Sequence, residues 1–163
     1  MKSPRRSVVP SFLVCFALAA CSAESEPGSA AACNDLVHDG STHSVALASN
    51  PATPLSGGVI SDGNYMLTAA RLFNVPSNVT VTRQLGSSLQ IRGDVIEQVS
   101  HADGKIERRT FKYTVADTTL TMIDTCASSS AQSRGFEATS TRFELLSEEP
   151  DTGYTLHQVF SKR

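Results

Sequence analysis

Asp103-Gly104-Lys105-Ile106-Glu107-Arg108-Arg109-Thr110-Phe111-Lys112-Tyr113-Thr114-Val115 is the stretch on which the fold turns. An Asp-Gly pair between two extended runs is a strong hairpin signal, because both central residues of a type I′ turn need positive φ. In the strand that follows, the two-residue period puts Phe111, Tyr113 and Val115 on one face, behind a polar start. A strand that begins polar and ends apolar predicts a rim projecting past a core.

The same period recurs on both sides. Upstream, Gly57-Gly58-Val59-Ile60 leads through an Asp62-Gly63 turn into the alternation of Tyr65, Leu67 and Ala69. Val79-Thr80-Val81-Thr82 reads as the next strand, closed by a turn at Gly86-Ser87-Ser88, and Leu89 and Ile91 lead to a bulge or bend at Gly93-Asp94 before Ile96 to Val99. Downstream, residues 118–123 form a strand that reaches Cys126, residues 127–134 a Ser-rich loop, and residues 136–146 and 154–160 the last two strands. No Pro falls within residues 77–149, as strands that donate to a ladder on both sides require. The expectation is an all-β fold: an antiparallel meander of about eight strands, one every 10–15 residues over 57–163, closing as a small barrel that removes exposed edges. The predicted barrel interior is Tyr65, Leu67, Phe111, Tyr113, Leu120, Met122, Phe136, Phe143, Leu145 and Phe160.

The N-terminus carries an address. Lys2, Arg5 and Arg6 precede an apolar run over residues 8–20, whose 13 residues are too few at ~1.5 Å each to span ~30 Å of hydrocarbon. The run ends in Leu18-Ala19-Ala20-Cys21, which resembles the lipobox of bacterial lipoproteins. That resemblance implies cleavage before Cys21, acylation of its sulfur and attachment to a membrane through N-terminal acyl chains. Ser22 at the following position implies the outer membrane of a Gram-negative envelope. The alternative is an ordinary secreted protein cut near Ala20. The domain plan is a signal peptide at 1–20, a flexible tether rich in Ala, Ser and Glu at 21–32, and a barrel domain at 33–163.

Composition narrows the function classes. Removing Lys2, Arg5 and Arg6 from 14 basic residues leaves 11 against 16 acidic, a net charge of −5 that argues against a nucleic-acid partner. Cys15 leaves with the signal and Cys21 takes lipid, so Cys33 and Cys126 remain to form a disulfide tying the N-terminal segment to the barrel. Two free thiols, or a thiol pair on a metal, are the alternatives, and the missing Cys-x-x-Cys spacing disfavours the metal.

Gly63-Asn64-Tyr65 stands where lipocalins open their first long strand with Gly-x-Trp. With the up-and-down strand succession and a Cys that ends a strand at 126, residues 57–163 resemble the lipocalin-like barrel families. The resemblance implies a barrel that carries one small hydrophobic molecule.

Chemistry-bearing clusters are sparse. Asp35, His38, Asp39 and His43 have the ligand types of a zinc site, but no element fixes them, so no metal or other cofactor is expected. No Gly-x-Ser-x-Gly elbow or phosphate cradle is present, and His101 and His157 read as exposed strand residues. Glu107, Glu137 and Glu144 read as solvated cross-strand partners, and Lys105, Arg108, Arg109 and Lys112 as a solvated hairpin face. The functional expectation is therefore a lipid-anchored envelope protein without enzymatic activity, binding an unidentified partner such as an envelope protein, with hydrophobic-ligand carriage as the alternative.

Overall fold

The computed structural model describes residues 33–126 and 130–163. Cys21, the signal and the tether lie outside the described residues, as does the start of the Ser-rich loop.

Among the described residues eleven strands make one sheet: β1 (His43–Ser44), β2 (Ala46–Leu47), β3 (Gly57–Gly58), β4 (Gly63–Phe73), β5 (Gln84–Arg92), β6 (Val95–Ala102), β7 (Lys105–Ala116), β8 (Thr119–Asp124), β9 (Ala131–Ala138), β10 (Arg142–Glu148) and β11 (Thr155–Lys162). β4 to β11 run in sequence order, each antiparallel to the next. β4 closes the circle by pairing with both β5, through Gly63↔Ile91 to Met66↔Ser88, and β11, through Thr155↔Phe73 to Lys162↔Tyr65. The fold is thus a small eight-stranded, lipocalin-like barrel, with β1, β2 and β3 added outside it.

The Asp-Gly turn forms as its chemistry dictates. Asp103 and Gly104 have φ of 51° and 81° and join Ala102 to Lys105 in the β6–β7 hairpin. Four other local expectations fail. Residues 131–134, read as the end of the Ser-rich loop, are the start of β9. Gly93-Asp94 is a two-residue turn joining Arg92 to Val95, with Gly93 at φ 56°, and not a bulge within a strand. Residues 136–146 are two strands, because β9 ends at Ala138 and β10 starts at Arg142, with the Thr139 hydroxyl accepting from the amides of Thr141 and Arg142 in the turn between them. Residues 79–82 belong to the β4–β5 connection, while Gly86-Ser87-Ser88 lies inside β5.

The last difference has a packing cause. The segment that precedes β4 crosses the outer wall of the barrel as a strap. Its Asn34 side chain donates to the carbonyls of Gln98 and Arg109 at 3.3 and 2.8 Å, and its Leu36 carbonyl accepts from Arg108. Beneath the strap, Val99 is buried, and a Cβ on Gly86 would stand 2.6 Å from His38 Nε2. Gly86 is small to let the strap pass, not to turn the chain. The expected Cys33–Cys126 disulfide is not formed in the structure: both are free thiols, and the Cys126 thiol instead donates to the Cys33 carbonyl at 3.7 Å.

At the end where the chain enters β4, the barrel is filled. Tyr65, Phe143 and Phe160 meet with ring centroids 6.1 and 6.2 Å apart, and Leu67, Ile91, Ile96, Leu120 and Phe136 complete the layer. Side chains of this size contribute roughly 1.5–3 kcal/mol each on full burial, so this end holds much of the folding free energy.

Candidate functional site: the open half of the lumen

The other end, which carries the Asp103-Gly104 turn, holds a cavity of about 720 Å³. Strand register explains its lining. Across β5, β6 and β7, Leu89 faces Gln98 and Gln98 faces Arg109, then Ser87 faces Ser100 and Ser100 faces Glu107. Toward the turn, Ile96 gives way to Gln98 and Ser100 on β6 and Phe111 to Arg109 and Glu107 on β7, while Leu85 and Ala102 return apolar surface next to the turn. Gln132 and Arg134 of β9, Ser147 of β10 and Gln158 of β11 add further polar groups, and Leu85, Phe111 and Leu156 give the wall its apolar surface. The polar start of β7 is therefore the wall of a half-lumen.

Most charges here already have partners. Arg83 forms a short ion pair with Glu149 and lies 4.0 Å from Asp103, and Arg109 contacts Glu107 at 3.1 Å. Arg134 donates to the neutral Gln132 Oε1 at 2.8 Å and makes no ion pair among the described residues. Burial, and secondly the like charge of Arg109, hold the Arg134 guanidinium below its ordinary pKa.

Of the expected interior positions, Tyr65, Leu67, Phe111, Leu120, Met122, Phe136, Phe143, Leu145 and Phe160 are buried in the core. Tyr113 is half-buried at the filled end, its hydroxyl donating to the Gly93 carbonyl at 2.8 Å. Only Phe111 of this set also touches the cavity, so the residues chosen for their size plug one half and leave the other to residues read from the sequence as solvated or not singled out at all. The signal that locates the cavity is the polar half of β7. Its basic residues are not one solvated face: Lys105 and Arg109 line the cavity, Arg108 is drawn outward to the strap, and Lys112 is exposed.

The other clusters separate. Asp39 pairs with Arg163 at 2.6 Å, which holds its carboxyl below the usual range, and His38 Nδ1 bonds Ser88 Oγ at 2.9 Å, so the Asp35-His38-Asp39-His43 group forms no metal-ligand cluster among the described residues. Glu144 is buried, not solvated, accepting from Arg142 Nε at 2.8 Å and bonded to His157 Nε2 at 2.6 Å on the outer wall. Among the described residues no hydroxyl or thiol is hydrogen-bonded to His157, so the pair holds strands β10 and β11 together without activating a nucleophile. Glu137 accepts from the Ser56 hydroxyl at 2.9 Å and ties the β3 segment to β9.

No family model, curated protein or solved structure matches the chain.

Proposed function

We propose that the protein is a lipid-anchored binding module of the bacterial envelope, non-enzymatic, whose open half-lumen takes up a small polar molecule. The observation that carries this reading is the cavity of about 720 Å³ at one barrel end, within the ~300–1,000 Å³ typical of small-molecule sites. Its wall of Ser87, Gln98, Ser100, Gln132, Gln158 and paired charges would leave hydrogen-bonding groups unmatched against a hydrocarbon guest. A wholly hydrophobic cargo, as the lipocalin resemblance implies, suits the filled end, where no room remains.

The lipobox at Cys21 supports the anchor and the oxidising compartment. In that compartment Cys33 and Cys126, already in contact, close into a disulfide that fastens the strap next to the tether.

Native mass spectrometry of protein purified from its own host, beside a Ser100→Trp variant that fills the cavity, tests the lumen reading. A small polar molecule bound to wild type and absent from the variant is the expected result. A co-purifying lipid or apolar pigment would move the reading to hydrophobic carriage. Protein that arrives empty and takes up nothing from a host small-molecule extract would overturn it.

A further inference from the structure

We propose that the open half-lumen selects a small organic anion, whose carboxylate, phosphate or sulfonate group is held by Arg134. This rests on the lumen-binding reading above and specifies the chemistry of its guest.

The inference stands on charge accounting inside the cavity. Four carboxylates line it: Asp103, Glu107, Glu148 and Glu149. Asp103 and Glu149 face Arg83, Glu107 is taken by Arg109, and Glu148 is exposed where β10 ends. On the basic side, Lys105 is exposed at the rim. Arg134 is the cation that remains in the half-buried wall, with one neutral acceptor for five N–H donors.

An unpaired charge withdrawn from water is costly, and a protein keeps one where something else supplies the counter-charge. Among the described residues no carboxylate pairs with Arg134, and burial and the like charge of Arg109 both act against the cation. The planar guanidinium fork matches the two oxygens of a carboxylate or phosphate. Leu120 lies directly across from Arg134 in the β8–β9 ladder and is fully buried. Arg134 therefore rises from the floor of the open half, with its guanidinium reaching to Gln132 on the cavity wall, where a guest would insert its charged end. Phe111 and Leu156 offer apolar surface to the carbon body, and Ser87, Ser100 and Gln158 offer hydrogen bonds to its substituents.

Two probes of nearly the same shape separate charge from fit: 8-anilinonaphthalene-1-sulfonate, an anion, and N-phenyl-1-naphthylamine, which is neutral. Both are titrated by calorimetry against the full exported chain carrying Cys21→Ser, with folding of every variant checked by circular dichroism. The expected result is a preference for the sulfonate of about tenfold or more, the scale of one charge-assisted contact. Arg134→Gln removes that preference and leaves the neutral probe unchanged, Arg134→Lys retains part of it, and Ser100→Trp abolishes binding of both. Equal affinity for the two probes, unaltered by Arg134→Gln but lost in Ser100→Trp, would overturn the anion inference and leave the lumen reading standing. Binding that survives Ser100→Trp would overturn both, and no binding of either probe would overturn the anion inference while the lumen reading stays with its own mass-spectrometric test.

Discussion

Leu120 and Arg134 face each other across the β8–β9 ladder, and between them runs the boundary of the two halves of the barrel. Leu120 belongs to the packed core, while Arg134 lines the open cavity. One inward layer thus holds both a buried aliphatic chain and a cation without an ion-pair partner among the described residues. Closing eight strands brings the inward faces together, and their side chains decide level by level whether the interior is core or vessel.

Cys21→Ser should release the protein from the membrane, because acylation requires the thiol and two or three acyl chains at ~0.8 kcal/mol per buried methylene make a durable anchor. Fractionation of wild type and variant gives the answer. A variant that stays in the pellet through a high-salt wash would contradict the anchor.

The Cys33 thiol is pushed up to about 11, first by its hydrogen bond with Cys126 and then by burial, so at neutral pH it is protonated and a weak nucleophile. Protein made in a reducing compartment should therefore oxidise slowly in air near neutral pH and faster as pH rises toward that value. Exported protein, made without Cys21 and denatured unreduced, should show no titratable thiol. Two thiols per chain would refute the bridge, whose loss by Cys33→Ser or Cys126→Ser should lower the melting temperature by several degrees.

Gly86→Ala places a methyl group 2.6 Å from His38 Nε2 and 3.2 Å from the Thr42 methyl, so the His38 ring must give way. Overpacking of this kind costs typically ~1–3 kcal/mol. Combining it with His38→Ala should recover much of that loss, since the obstruction is then gone. Urea melts of the two single variants and the double variant measure the coupling, and strictly additive effects would show that His38 does not fill the space above Gly86.

His38 packs against His101 with ring centroids 4.8 Å apart and planes tilted by 49°, and its Nε2 is buried without a hydrogen-bond partner. Burial, with His101 as the second cause, holds its pKa below the ordinary 6.5, against a weaker opposing pull from Asp39. Neutral His38 is favoured in the folded state. Its contribution is intact above 6.5 and is lost as pH falls from there through the folded-state value, where the unfolded chain takes up the proton first. Melting temperatures measured between about pH 7.5 and pH 5 should fall more steeply for wild type than for His38→Gln. Parallel profiles would show that the His38 imidazole does not carry this dependence.

Which parts of this were legible in the sequence follows from the range of the physics. Period-two alternation, Asp103-Gly104 and a span without Pro are local signals, and they determine an all-β meander and the large side chains that its interior must hold. The aromatic and aliphatic positions from Tyr65 to Phe160 could be chosen for the same reason: on an alternating strand, big apolar residues have one place to go. Non-local contacts decided the rest. Gly86-Ser87-Ser88 has the composition of a turn, yet the strap bonds the Ser88 hydroxyl and needs the missing side chain of Gly86, while β6 bonds the Ser87 hydroxyl, so it is strand. Lys105, Arg108, Arg109 and Lys112 read as one basic face, but the pleat sends alternate members to opposite sides of the wall, and which side is the inside exists only once β4 has met both β5 and β11. The same holds for Glu144, polar by type and buried by its neighbours. Sequence determines that there is an antiparallel β meander and which large side chains fill half of its interior. The closure of the sheet alone decides that the other half is open, polar, and left with the charge of Arg134.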